Sequence, residues 1–223
     1  MKNYIKSKNS NKFFIGRIKV EIKTPIEKIS NAVIKKTITN TLDRIPEHLL
    51  RNINTINVGA FETLKSRELQ ALYKNSNIFL NNEYQDPYDM VDDLVHEVAH
   101  SVEEIYYKEI YEDKIVKKEF LEKRKQLWQT LKDKGIELEL LSFLNHKYDE
   151  KFDLMIYKKI GYPVLATLAS NIFYSPYAAT SLSEYFANGF EAFFMKEDIK
   201  RLKKVSPKLY IKIINLLDTK KKG

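Results

Sequence analysis

Two histidines and a glutamate in the stretch LVHEVAHSVEE, residues 94–104, carry the clearest chemistry of this 223-residue chain. His96 and His100 are four apart, so on a helix their imidazoles project from one face. Each can give a ring nitrogen to a single metal ion. Glu97, one position after the first histidine, points to where a metal-bound water would stand. Zn²⁺ suits such ligands, because it takes imidazole and carboxylate in tetrahedral geometry and keeps one position for water. The ion lowers the pKa of that water toward neutrality, and Glu97 takes its proton. The chemistry implied is hydrolysis.

His-Glu-x-x-His is the signature of zinc peptidases, although three fixed positions in five also arise in helices that bind no metal. A third protein ligand is required, and the chain has no cysteine to supply it. The best candidate is Glu184 in SLSEYFANGFEAFF. It opens a helix whose aromatic face, Tyr185 or Phe186 with Phe190, Phe193 and Phe194, must be buried. The same stretch is also a capping box, Ser181 to Glu184, in which the carboxylate would only bond back to the backbone. Glu191 is the second candidate. The other two histidines, His48 and His146, have no motif around them and read as ordinary helix-surface or loop residues.

The elements that must position these groups follow from periodicity. Asp86 is a suitable N-cap, Pro87 fits a first turn and Asp89 favours the helix dipole. Val91, Leu94, Val95, Val98, Val102 and Ile105 form an apolar stripe, so a helix is predicted from about Pro87 past Glu104. Upstream, the alternation of Phe13 to Lys23 reads as a strand. A helix is expected to start at Thr24 as N-cap with Pro25 first, and PEHLLRNI reads as a short helical turn. Thr55 to Phe61 and Asn77 to Asn82 read as strands, with a short helix near Ser66 to Tyr73 between them. Downstream, Lys114 to Lys134 is helical and ends at Gly135. Leu138 to Ser170 is mostly helical with a break near Gly161 and Pro163. The chain turns at Pro176, restarts as a helix near Ser181, and closes with an amphipathic helix over Ser206 to Asp218. These elements predict an α+β fold, mostly helical, with a small early sheet. The division expected is a polar tail, residues 1–11, followed by one domain, residues 12–223.

Composition narrows the partners. Apolar residues make up 43%, enough for a packed core. The net charge of +8 comes from lysines spread over the whole chain. With no recognition module in sight, that spread argues for a solvated surface and against a nucleic-acid partner. No run approaches the ~18 apolar residues of a membrane span. The first residues lack the apolar run of a secretory signal. The expected location is therefore cytoplasmic or virion-associated, with secretion only by a non-classical route.

The pairing of HEVAHSVEE with SEYFANGFEAFF resembles the catalytic domain of anthrax toxin lethal factor and the clostridial Pro-Pro endopeptidases. The resemblance covers about Thr41 to Leu217 and is firmest over Val91 to Ile105 and Tyr177 to Phe194. It implies a zincin-like fold with the small sheet packed on the active-site helix. It also implies a zinc endopeptidase acting on a protein or peptide in extended conformation. His96, His100 and Glu184 would bind zinc and Glu97 would activate the water. Tyr177, seven residues before Glu184 as in the family, would donate a hydrogen bond to the oxyanion. The strand NIFLNN would be the cleft edge along which substrate pairs. Two departures stand out. The long spacing between His100 and Glu184 implies a helical insertion within 107–170. Asn188 stands where the family tends to have a glutamate, and is expected to orient a ligand imidazole less strongly. The competing expectation is a catalytically weak zincin-like scaffold serving as a binding or structural module.

Overall fold

The computed structural model describes residues 11–195 and 199–218. The polar tail falls outside the described residues except for Asn11. Two compact units divide the chain, residues 1–105 and 106–223. The boundary lies between two helices, with no Pro- or Gly-rich stretch to mark it. Helices make up 59% of the described residues beside one small mixed sheet, so the α+β expectation holds.

The first unit is built on a five-stranded sheet. Its strands are β1 (Lys12–Ile15), β2 (Ile18–Ile22), β3 (Thr55–Val58), β4 (Ala71–Lys74) and β5 (Asn77–Leu80), in the order β1-β2-β3-β5-β4. The three central strands are parallel, and each edge strand is antiparallel to its neighbour. Strict alternation sends Ile18, Val20 and Ile22 to one face, where Ile56, Val58, Ile78 and Leu80 are also buried. Helices α1 (Asn31–Leu42) and α3 (Pro87–Ile105) cover this unit's core, and α3 lies against β4 and β5. Between β3 and β4 sits the one-turn helix α2 (Glu62–Lys65).

Four local expectations need correction. The single strand read over Phe13 to Lys23 is a hairpin, because Gly16 turns the chain with φ +55°. The helix expected from Thr24 begins at Asn31, where the Ser30 hydroxyl caps it by accepting from Val33 N–H. Ile26 and Ile29 are buried ahead of it as a bridged loop. The short helix read over Ser66 to Tyr73 is instead the end of α2 and the edge strand β4. Ala71, Leu72 and Lys74 favour helix by propensity, but sheet pairing overrides it. The pairing is closed by Asn75 and Ser76, both at positive φ, as a two-residue hairpin turn requires. The stretch NIFLNN is therefore not an edge. β5 lies between β3 and β4, and the edge on that side is β4.

The second unit is helical. Its elements are α4 (Tyr107–Tyr111), α5 (Ile115–Asp133), α6 (Leu140–Leu144), α7 (Glu150–Met155), α8 (Tyr162–Leu168), α9 (Leu182–Met195), α10 (Ile199–Val205) and α11 (Pro207–Leu217). α5 ends as expected at Gly135, φ +77°, whose N–H returns to Lys132 C=O. The stretch 138–170 is more broken than its composition predicts. Asp149 caps α7 by accepting from Lys151 and Phe152 N–H, and Gly161, φ +79°, separates a π-helical turn, Ile156–Ile160, from α8. Phe120, Phe173 and Tyr185 pack their rings together at the core. A side chain at Gly189 would collide with Leu209, so glycine there lets α11 pack on α9.

Candidate functional site

In the first unit, α3 is set as its stripe requires. Leu94, Val95, Val98, Ala99 and Val102 are buried, and the Asp86 carboxylate accepts from Tyr88 N–H at 2.7 Å to start the helix. Val91 and Ile105, the ends of the predicted stripe, are only half-buried. The four-residue spacing brings the half-buried rings of His96 and His100 side by side, centroids 4.9 Å apart. His100 Nδ1 lies 3.5 Å from the carboxylate of Glu103. That pairing favours Nδ1 as the donor, which is how metal-binding imidazoles are commonly arranged.

Glu97 is buried, and its carboxylate accepts the backbone N–H of Tyr73 on β4. Two helical turns further on, Glu104 accepts the Tyr73 hydroxyl, which in turn accepts Asn52 Nδ2 at 2.6 Å. The edge strand is thus fastened to α3 at two levels. Burial, then the neighbouring Glu104 charge, pushes the Tyr73 hydroxyl up to about 12.

In the second unit, Tyr177 sits in a single 3₁₀ turn, Tyr177–Ala179, just before α9. Ser181 caps α9 by accepting Glu184 N–H at 3.1 Å, so half of the capping box is present. Glu184 itself is half-buried in the first turn. The Tyr177 hydroxyl is held well above its ordinary value, first by burial and then by the charge of Glu184. These two sequence candidates therefore share one electrostatic environment.

Asn188, expected to orient an imidazole, has bonds within its own unit. Its amide oxygen accepts the Ser175 hydroxyl, and its Nδ2 donates to Glu184 C=O at 3.0 Å. Ser175 Oγ also accepts Ala178 N–H at 3.2 Å. Both ends of the amide are bonded inside the second unit, tying the Tyr177 turn to the helix of Glu184.

Some residues here carry no motif. Arg124 on α5 is buried, donating to Asn145 C=O at 2.7 Å, Ser142 C=O at 2.8 Å and Thr180 C=O at 3.5 Å. Its guanidinium stacks 3.7 Å from the Phe152 ring centre, and burial lowers its pKa to about 9. It thereby clamps the 107–170 segment to the residue preceding Ser181. Glu103 could have been found from its i+3 spacing to His100. Arg124 and the Ser175–Asn188 pairing could not, since the partners lie far apart in sequence. Of the other histidines, His48 lies on a 3₁₀ turn and His146 in a loop, where His146 Nε2 is 3.3 Å from Lys117 Nζ.

No family model, curated protein or solved structure matches the chain.

Proposed function

We propose that the protein is a zinc-dependent endopeptidase with a zincin-like fold, acting on an extended segment of a protein. The observation that carries this reading is the His96–His100 pair on α3, with Glu97 held between that helix and the edge strand. The proposed ligands are His96, His100 and Glu184, each offering one ligand atom. Two imidazoles and a carboxylate form a donor set that Zn²⁺ accepts in catalytic sites. A zinc ion bound there would supply Lewis acidity and a water of lowered pKa.

The chain's own residues would do the rest. Glu97 takes the proton of the attacking water and later passes it to the leaving amine. Its bond from Tyr73 N–H fixes the carboxylate's direction. Tyr177 donates its hydroxyl proton in a hydrogen bond to the oxyanion. A hydroxyl kept protonated by burial is suited to donate. β4 is the strand edge to which an extended peptide would add.

Elemental analysis of protein purified without added metal should find about one zinc per chain. Glu97→Gln should retain the zinc and lower hydrolysis of a peptide library by about 10²-fold or more. Protein that takes up no Zn²⁺ at micromolar concentration would overturn the reading.

A further inference from the structure

Four tyrosines gather near one carboxylate in the second unit. Asp153, on α7, accepts the Tyr162 hydroxyl at 3.0 Å through one oxygen and the Tyr148 hydroxyl at 3.3 Å through the other. The Tyr162 ring stands edge-on to Tyr177, centroids 6.5 Å apart at 89°, and meets Tyr157 at 5.4 Å and 61°. These side chains are not core. Tyr148 is 55% exposed, Tyr157 57% and Tyr177 37%. Exposed aromatic rings grouped in this way are a mark of a binding surface, because a folding role would bury them.

The chemistry of the group selects its ligand. Tyrosine faces are electron-rich and attract a cation lying over them. Each Asp153 oxygen takes one hydroxyl and keeps a further lone pair to offer. The hydroxyls of Tyr148 and Tyr162 are held above their ordinary values, first by burial and then by the Asp153 charge. Asp153 therefore brings negative charge to these hydroxyls, although the chain as a whole is positive. Lys147, Lys151, Lys158 and Lys159 lie nearby in sequence, but they are solvent-exposed and screened.

We propose that Tyr148, Asp153, Tyr157 and Tyr162 form a subsite for a basic side chain, lysine or arginine, of a protein segment bound beside Tyr177. This deepens the peptidase reading by naming a substrate class. The aliphatic stem lies along the tyrosine rings while the charged head meets Asp153. The segment between the two halves of the candidate motif thus serves recognition.

The test is binding without turnover. The full chain is stripped of metal with a chelator, and fluorescent peptide libraries differing only in one central residue are titrated by anisotropy. That residue is fixed as lysine, arginine or the uncharged isostere norleucine. The basic libraries should bind about tenfold tighter. Asp153→Asn, which keeps the shape and one hydroxyl acceptor and turns the other oxygen into an N–H donor, removes the charge and should erase the difference. Tyr148→Ala, at an exposed position, should do the same, and the melting curves of both variants report that they are folded. No preference for the basic residue, or a preference unchanged in both variants, overturns the subsite. Because neither zinc nor hydrolysis enters the measurement, failure of the peptidase reading leaves this result standing, and the reverse also holds.

Discussion

In the first unit His96, Glu97 and His100 ride on one 19-residue helix, whereas in the second Tyr177 and Glu184 ride on a single 3₁₀ turn and the start of α9. The helix needs little help. Its spacing sets which side chains share a face, its buried stripe sets how it lies, and Glu103 and Tyr73 adjust two of its side chains. The turn has no such internal geometry. It is held by Ser175, Asn188, Thr180 and, through Thr180, Arg124. A side chain placed by a helix depends on its neighbours in sequence, and one placed by this turn depends as well on hydrogen bonds from far away.

The largest effect should come from breaking the long-range side of that contrast. Arg124→Ala removes three hydrogen bonds to carbonyls and leaves a cavity beside Phe152. The expected cost is on the order of 3–5 kcal/mol, read by urea unfolding. His96→Ala is the matched change in the other unit. It touches a half-buried ring on a helix that stands without it, so metal-free stability should change by less than about 1 kcal/mol. Equal losses in the two variants would mean that the two regions are held in the same way.

A smaller effect sharpens the comparison at Asn188. Asn188→Ala strands the Ser175 hydroxyl and should cost about 1–3 kcal/mol. It should also speed hydrogen exchange at the Ala178 amide, whose acceptor is that same Ser175 oxygen. Asn188→Glu should be worse, since it sets a carboxylate against the Glu184 carbonyl. The expectation from sequence, that an acid here would orient an imidazole, predicts the opposite: tighter zinc in a chelator competition. An unchanged Ala178 amide in Asn188→Ala would remove the brace from the account.

The same contrast explains what could be read beforehand. The α3 helix, its cap at Asp86 and its buried stripe were legible because each depends on residues within one or two turns. So were the end of α5 at Gly135 and the final helix. The edge strand was not, because Ala71 to Lys74 has helix-favouring residues and becomes a strand only by pairing with β5. The hairpin signal was present in Asn75 and Ser76, but it is weak without the backbone angles. The late start of α1 was missed because Thr24-Pro25 is as good a helix opening as Ser30. At the candidate site, the identities of His96, Glu97, His100, Tyr177 and Glu184 could be picked out by spacing and resemblance. The work of Asn188, Arg124 and Asp153 could not, since Ser175 is 13 residues from Asn188, the carbonyls on Arg124 are 18 or more away, and the tyrosines on Asp153 are 5 or more away, in patterns with no periodicity.

The smallest effect lies where the two kinds of positioning meet, at Tyr73. Its backbone N–H holds Glu97 and its hydroxyl holds Glu104, so one edge-strand residue fastens β4 to α3 twice. Tyr73→Phe keeps the ring and the backbone bond and drops only the hydroxyl, for a cost of about 1 kcal/mol. The pH dependence identifies the source of that cost. The hydroxyl titrates near 10 when unfolded and is pushed up to about 12 when folded, by burial first and Glu104 next. The folded state therefore holds its proton longer, and between those values it binds more protons than the unfolded state. This contribution is complete below pH ~10 and is lost as pH rises toward ~12. Wild type should lose it over that window, and Tyr73→Phe has none to lose, so the stability gap between them should narrow with rising pH. Tyr84, Tyr162, Tyr177 and Tyr185 are also held above their ordinary values, but they are present in both proteins and cancel in the difference. A gap that stays constant up to pH ~12 would mean that the Tyr73 hydroxyl is not coupled to Glu104. Of the two bonds, the backbone one to Glu97 would then be the one that fastens β4 to the helix.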